Sequence, residues 1–168
     1  MLKKTLTAID RISVFIGKLF SFIIIPIVLL EAVEVVRRYV FDSPTGWAWE
    51  LSAMLFGAMF IVGAGWILSE NKHVRTDVLY AKLSRKWQAI FDLVFFTVIF
   101  FSFAGVLAVK SIQQSIYSVG ILEKTFSMWA PPLYPLKIII ALGFVVLLLQ
   151  GLAKWIRDVH FLIKGSEI

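Results

Sequence analysis

Four stretches of the chain are apolar for long enough to matter, at about residues 14–36, 47–68, 89–109 and 133–156. A bilayer core about 30 Å thick is crossed by roughly 20 helical residues rising 1.5 Å each. In most of them, apolar side chains surround the helix where a water-facing helix would carry them as a stripe, so lipid is the solvent these segments are built for. Between the second and third stretches the pattern changes. Leu79, Leu83 and Trp87 recur at a spacing of four with Lys82, Arg85 and Lys86 between them, which predicts a short amphipathic helix on the membrane surface. The tail repeats that pattern, with Trp155, Val159 and Leu162 among Lys154, Arg157 and Lys164. The expected fold is an all-α membrane protein, one four-helix transmembrane domain over residues 1–168.

Charge sets the expected orientation. Of the 17 Lys and Arg residues, five (Arg37, Arg38, Lys110, Lys124 and Lys137) fall on one side of the four spans and the rest on the other. The positive-inside rule puts the richer side, with both termini, in the cytoplasm of a bacterial inner membrane, where Lys82, Arg85, Lys86, Trp87, Trp155 and Arg157 would anchor the chain to lipid headgroups. Trp47 and Trp49, with Trp129 and Tyr134, stand where the outer aromatic belt belongs. Lys3, Lys4, Arg11 and Lys18 ahead of an apolar run imitate a signal peptide, but no small-x-small cleavage site follows, so a retained helix is expected. Pro26 should kink that helix, because it has no N–H for the carbonyl of Phe22. The nearest hydroxyl in sequence able to compensate is that of Ser21.

Composition narrows the chemistry. Hydrophobic residues are 60% and charged residues 17%, against about 45–50% and 25% in ordinary globular chains. With no cysteine, disulfide frameworks, thiol redox chemistry and Cys-ligated metals are excluded. The net charge of +6 sits at the ends of apolar runs, the pattern of a membrane anchor and not of a nucleic-acid binder. His73 and His160, the two histidines, both lie outside the spans, so an axial haem pair or an intramembrane metal site has no ligands, and no cofactor is expected.

The residues that hydropathy would exclude from lipid are the informative ones. Glu31 and Glu34 share one face of the first span, and an uncompensated charge at mid-bilayer costs about 2.5–3.5 kcal/mol. Arg38, four residues on, offers Glu34 a partner, and Glu31 has none so placed. An ion, proton or subunit site and an interfacial ion pair both fit these carboxylates. Glu50 poses the same choice, and as an acid in the first turn of its helix it also suits the positive helix end. Asp92 reads as an interface pair with Lys86 or Lys82. Ala53 and Gly57, and Ala104 and Ala108, are small residues four apart that permit close helix approach, within the chain or to a partner. His73, Arg75 and Asp77 fit either a small reactive cluster or a charged turn opening the amphipathic helix. The absence of a polar pathway argues against an autonomous transporter.

Four pieces occur in order on this frame: Glu34-Val-Val-Arg-Arg-Tyr-Val-Phe41, Trp47-Ala-Trp-Glu50, His73-Val-Arg-Thr-Asp77 and Trp129-Ala-Pro-Pro-Leu-Tyr-Pro135. From about residue 14 to 155 the chain resembles the small membrane subunit of tripartite ATP-independent periplasmic (TRAP) transporters, the DctQ family. Only Thr76 departs, standing where an aliphatic residue is expected. The resemblance implies a hetero-complex with a large multi-span subunit, which binds substrate and sodium and moves as an elevator, and with a soluble periplasmic substrate-binding protein. It implies that this chain, not an enzyme, braces the large subunit during uptake of an organic acid. By that resemblance Glu34, Arg38, Trp47, Glu50, His73, Arg75, Asp77, Trp129 and Pro131 are the subunit or docking interface, to which the small residues Ala53 and Gly57 would add a face for close helix approach. The alternative is a self-contained homodimeric four-helix exporter or channel with Glu31 as its coupling carboxylate.

Overall fold

The computed structural model describes residues 2–70 and 83–166. The first span is a broken rod, α1 (Leu2–Ser21) and α2 (Ile24–Tyr39). It starts well before the apolar run because its first turns carry a stripe, Leu6, Ser13 and Gly17, that is buried in the array. The break falls where Pro26 predicts it, but the backbone and not Ser21 resolves it. The Ile25 N–H donates to the Phe22 carbonyl at 3.1 Å, and Ile23 N–H to Phe20 at 3.0 Å, tightening the chain into a turn. The Ser21 hydroxyl instead donates to the Lys18 carbonyl at 2.7 Å.

The second span, α3 (Ala48–Ser69), falls where the apolar pattern puts it. The third runs further than expected, as α4 (Arg85–Phe95), a π-helical turn (Phe96–Phe100) and α5 (Phe101–Gly120). Lys110, Gln113 and Gln114, expected at its outer limit, are therefore inside a continuous 35-residue rod, Lys86–Gly120. Ser84 is extended (φ −62°, ψ 154°), so Trp87 stands in the first turn of the third span instead of continuing a helix from Leu83. The remainder of the expected amphipathic helix, with Lys82, lies outside the described residues. The fourth span, α6 (Tyr134–Lys164), absorbs the tail into one helix of 31 residues. It ends where Gly165 turns left-handed (φ 67°) and gives its N–H to the Phe161 carbonyl, a conformation that costs glycine nothing.

The spans are not wrapped around a common axis. α3 packs against α6 on one side and against α1 and α2 on the other, and α6 packs in turn against α4 and α5. The packing order is thus span 1, span 2, span 4, span 3, with α1 also reaching α6 near its start. Burial follows that order: 28% of the most apolar window is buried in each of the two central spans, against 6% and 17% in the flanking ones. Glycine permits the tightest approaches. A Cβ on Gly17 would lie 2.5 Å from Trp66, on Gly143 3.1 Å from Ile61, on Gly65 3.0 Å from Val146, and on Gly151 2.2 Å from the Phe100 ring. Ala104 and Ala108, both buried on α5 beside α6, belong to the same internal packing. Ala53 is exposed, and a Cβ on Gly57 would meet nothing within 4 Å.

These contacts separate two classes of glycine. Gly151→Ala drives a methyl into the Phe100 ring and is expected to destabilise the chain by about 1–3 kcal/mol. Gly57→Ala, with open space and better helix propensity, is expected to be neutral or mildly stabilising. Thermal unfolding of both variants in detergent micelles checks the difference.

Candidate subunit interface

The end of the array that holds the two inter-span connections 40–47 and 121–133 carries six of the interface residues expected from sequence, Glu34, Arg38, Trp47, Glu50, Trp129 and Pro131. Glu34 is only 6% exposed. It accepts bonds from the Thr45 N–H at 3.1 and 3.2 Å, from the Thr45 hydroxyl, and from Arg38 at 3.0 Å. The ion pair with Arg38 expected from the spacing is present. Thr45 adds to it by folding the first connection back over α2. Arg37 holds the same connection through the Ser43 carbonyl at 3.2 Å and hydroxyl at 3.4 Å, and Asp42 takes a left-handed turn (φ 47°). Glu31, half-buried, makes no side-chain hydrogen bond or ion pair among the described residues.

Glu50 sits in the first turn of α3, where the helix dipole favours it, and accepts from the Ser127 hydroxyl at 2.6 Å. The Trp47 and Trp129 rings lie 5.8 Å apart, so a charge-assisted bond and an aromatic pair tie the second connection to the start of α3. Pro131, in the same connection, is buried, its carbonyl accepting from the Thr125 N–H at 3.0 Å. Behind this, Glu123 accepts the Lys137 ammonium, which holds its carboxyl below the ordinary value of 4.5. Trp49 remains outside the arrangement and is exposed. His73, Arg75 and Asp77 lie outside the described residues.

The opposite end, where α1 begins and α6 ends, holds a cluster that sequence reasoning missed. The Lys154 ammonium on α6 lies 2.6 Å from Asp92 on α4 and 2.7 Å from Asp158 one turn on, and all three residues are buried. Asp92 therefore pairs across helices and not with Lys86, which is exposed; its side of α4 faces α6. Beside it Gln150 accepts from the Ser13 hydroxyl at 2.9 Å and donates to Asp10 at 2.7 Å, and Arg157 clasps Asp10 at 2.6 Å. The signal in the sequence was Lys154 and Asp158, opposite charges four apart inside an apolar helix. Two expected lipid anchors are engaged here: Arg157 through Asp10, and Trp155, which donates to the Thr97 hydroxyl at 2.9 Å. Lys86 and Trp87 are exposed in the first turn of α4, which Arg85 opens.

Among the described residues no group of three or more His, Asp, Glu or Cys is placed to hold a metal ion. Across residues 27–161 the sequence matches the family described as tripartite ATP-independent periplasmic transporters, DctQ component. The chain belongs to the DctQ family. It is thus the small membrane component of a TRAP transporter, an integral membrane protein of a transporter family and not of an enzyme family, one whose members work with a large membrane subunit and a substrate-binding protein. No curated protein matches this DctQ chain.

Two outcomes test the geometry of the DctQ clusters. Lys154→Met leaves Asp92 and Asp158 without the buried ammonium and is expected to cost about 3–5 kcal/mol, whereas Lys86→Met at an exposed position stays within about 0.5 kcal/mol; melting in micelles compares them. Because the folded carboxyl of Glu123 titrates below its ordinary value, its contribution is present at neutral pH and is lost as pH falls through the folded value. Glu123→Gln should therefore lower the melting temperature at neutral pH and flatten its dependence on pH below about 4.5.

Proposed function

We propose that this DctQ chain sits in the bacterial inner membrane with both termini cytoplasmic and braces the fixed scaffold of a large, sodium-coupled elevator subunit during uptake of an organic acid. Its connector end, built on Glu34, Arg38, Trp47, Glu50, Trp129 and Pro131, helps form the face on which the periplasmic binding protein docks. His73, Arg75 and Asp77 form the cytoplasmic contact, and Ala53 with Gly57 leaves room for a partner helix to approach α3. Substrate and sodium are bound by the partner subunits.

The observation that carries this reading is how the buried polar groups are used. Glu34, Asp92, Gln150, Lys154 and Asp158 each bond to other groups of the same chain, so they pin helices and connections. A moving domain needs a frame that does not move with it, and helices locked to one another at one end and to their connections at the other suit a frame. The orientation rests on the distribution of Lys and Arg.

Reconstitution tests the proposal. Liposomes holding this chain, its large subunit and the binding protein are expected to accumulate labelled dicarboxylic, keto or sugar acids under an inward sodium gradient, and liposomes holding this chain alone to accumulate none. Glu50→Ala, which frees the second connection from α3, is expected to lower uptake severalfold. Transport by the chain alone would overturn the proposal, and an unchanged uptake and complex yield in Glu50→Ala would remove the connector end from it.

A further inference from the structure

α3 fixes where lipid lies. Glu50 and Glu70 bracket its apolar stretch, and the residues between them span about 30 Å, one bilayer core. α3 and α6 run parallel with Ile61 beside Gly143 and Gly65 beside Val146. Gly151 is thus level with the end of α3 near Glu70, and Phe100, whose ring lies against Gly151, marks that edge on the third span. α5 ends at Gly120 near the other edge, where the Glu123 carbonyl accepts the Leu133 N–H at 2.8 Å. Lys110 stands midway between Phe100 and Gly120, about 15 Å along the helix from either.

Lys110 is exposed there, and so are Gln113, Gln114 and Tyr117, which follow it at spacings of three, four and seven on one helix face. The other side of α5 carries the buried Ala104, Ala108, Ser115 and Ser118. Among the described residues Lys110, Gln113 and Gln114 make no side-chain hydrogen bond or ion pair. A lysine ammonium and two carboxamides at mid-bilayer depth are costly against hydrocarbon, and such groups face protein or a water-filled cavity. Span 3 is a flank of the array, with α6 as its packing neighbour, so this face is open to something outside the chain.

We infer that the face of α5 holding Lys110, Gln113, Gln114 and Tyr117 is where this chain meets a transmembrane helix of its large subunit, with Lys110 paired to a carboxylate on that helix and the two glutamines bonded to its polar groups. The inference rests on the bracing role proposed above and adds where the contact is made and its chemistry. A buried cation in lipid requires an anion, which selects an acidic partner helix.

The chain has no cysteine, so single cysteines introduced into the co-expressed complex report cleanly. Photo-crosslinkers attached to Val106→Cys and Gln113→Cys, both on the inferred face, should label the large subunit, and one at Val28→Cys, exposed on α2, should not. Lys110→Glu should lower recovery of the complex about tenfold or more and Lys110→Arg should retain it. An Asp→Lys or Glu→Lys change in the large subunit should rescue Lys110→Glu, while that variant alone keeps the wild-type melting temperature in micelles. If the wild-type chain fails to purify with the large subunit, the bracing role fails. If it purifies with it but the Gln113→Cys probe labels lipid or a second copy of this chain, and Lys110→Glu forms complex normally, the role stands and this inference is overturned.

Discussion

Helices immersed in lipid gain nothing by exchanging one apolar neighbour for another, so apolar burial cannot hold this array together as it would in water. What remains is close backbone contact and the satisfaction of polar groups that lipid will not solvate. Both are present, in different places. The middle of the array is held by glycines, Gly65 and Gly143 between α3 and α6 and Gly17 against Trp66, where dispersion contacts are dense. The two ends are held by charges: Lys154 between Asp92 and Asp158 at one, Glu34 and Glu50 on the connections at the other. Lys154 joins α4 to α6 through Asp92, and Glu34 and Glu50 hold the connections, so the end clusters set register where the apolar seams do not.

That division explains what a reader of the sequence can and cannot see. Span number, span position and the kink at Pro26 follow from local hydropathy and one missing N–H, and they were legible. The reach of the rods was not, because Leu6 and Ser13 are buried by tertiary contact at one end, and the Lys110–Gly120 segment continues as helix despite its polarity at the other. The Asp92–Lys154 pair was not legible because pairing across helices depends on register, and nothing in the apolar pattern of α4 names α6 as its neighbour. The Glu34–Arg38 pair was legible because spacing four on a helix is itself a contact. Thr45 was not, because the connection must fold before it can reach Glu34.

Membership in a transporter family and the arrangement of polar groups point the same way. A chain that bound the cargo would keep unspent donors or acceptors around a cavity. Here the charged groups buried between helices are bonded to each other, and Lys110 with Gln113 and Gln114, which make no such bond among the described residues, sit on a flank. The polar economy of the chain thus turns outward, toward what stands beside it.

The π-helical turn carries one more implication. Ala89, Asp92 and Phe96 bury one side of the third span, and Ala104 and Ala108 bury the side that follows, yet Phe96 and Ala104 are eight positions apart where two regular turns take about seven. The wide turn absorbs the surplus position and keeps both seams in phase on α6. Span 3 can therefore lie against a single neighbour along both halves although its buried positions do not repeat with one helical period.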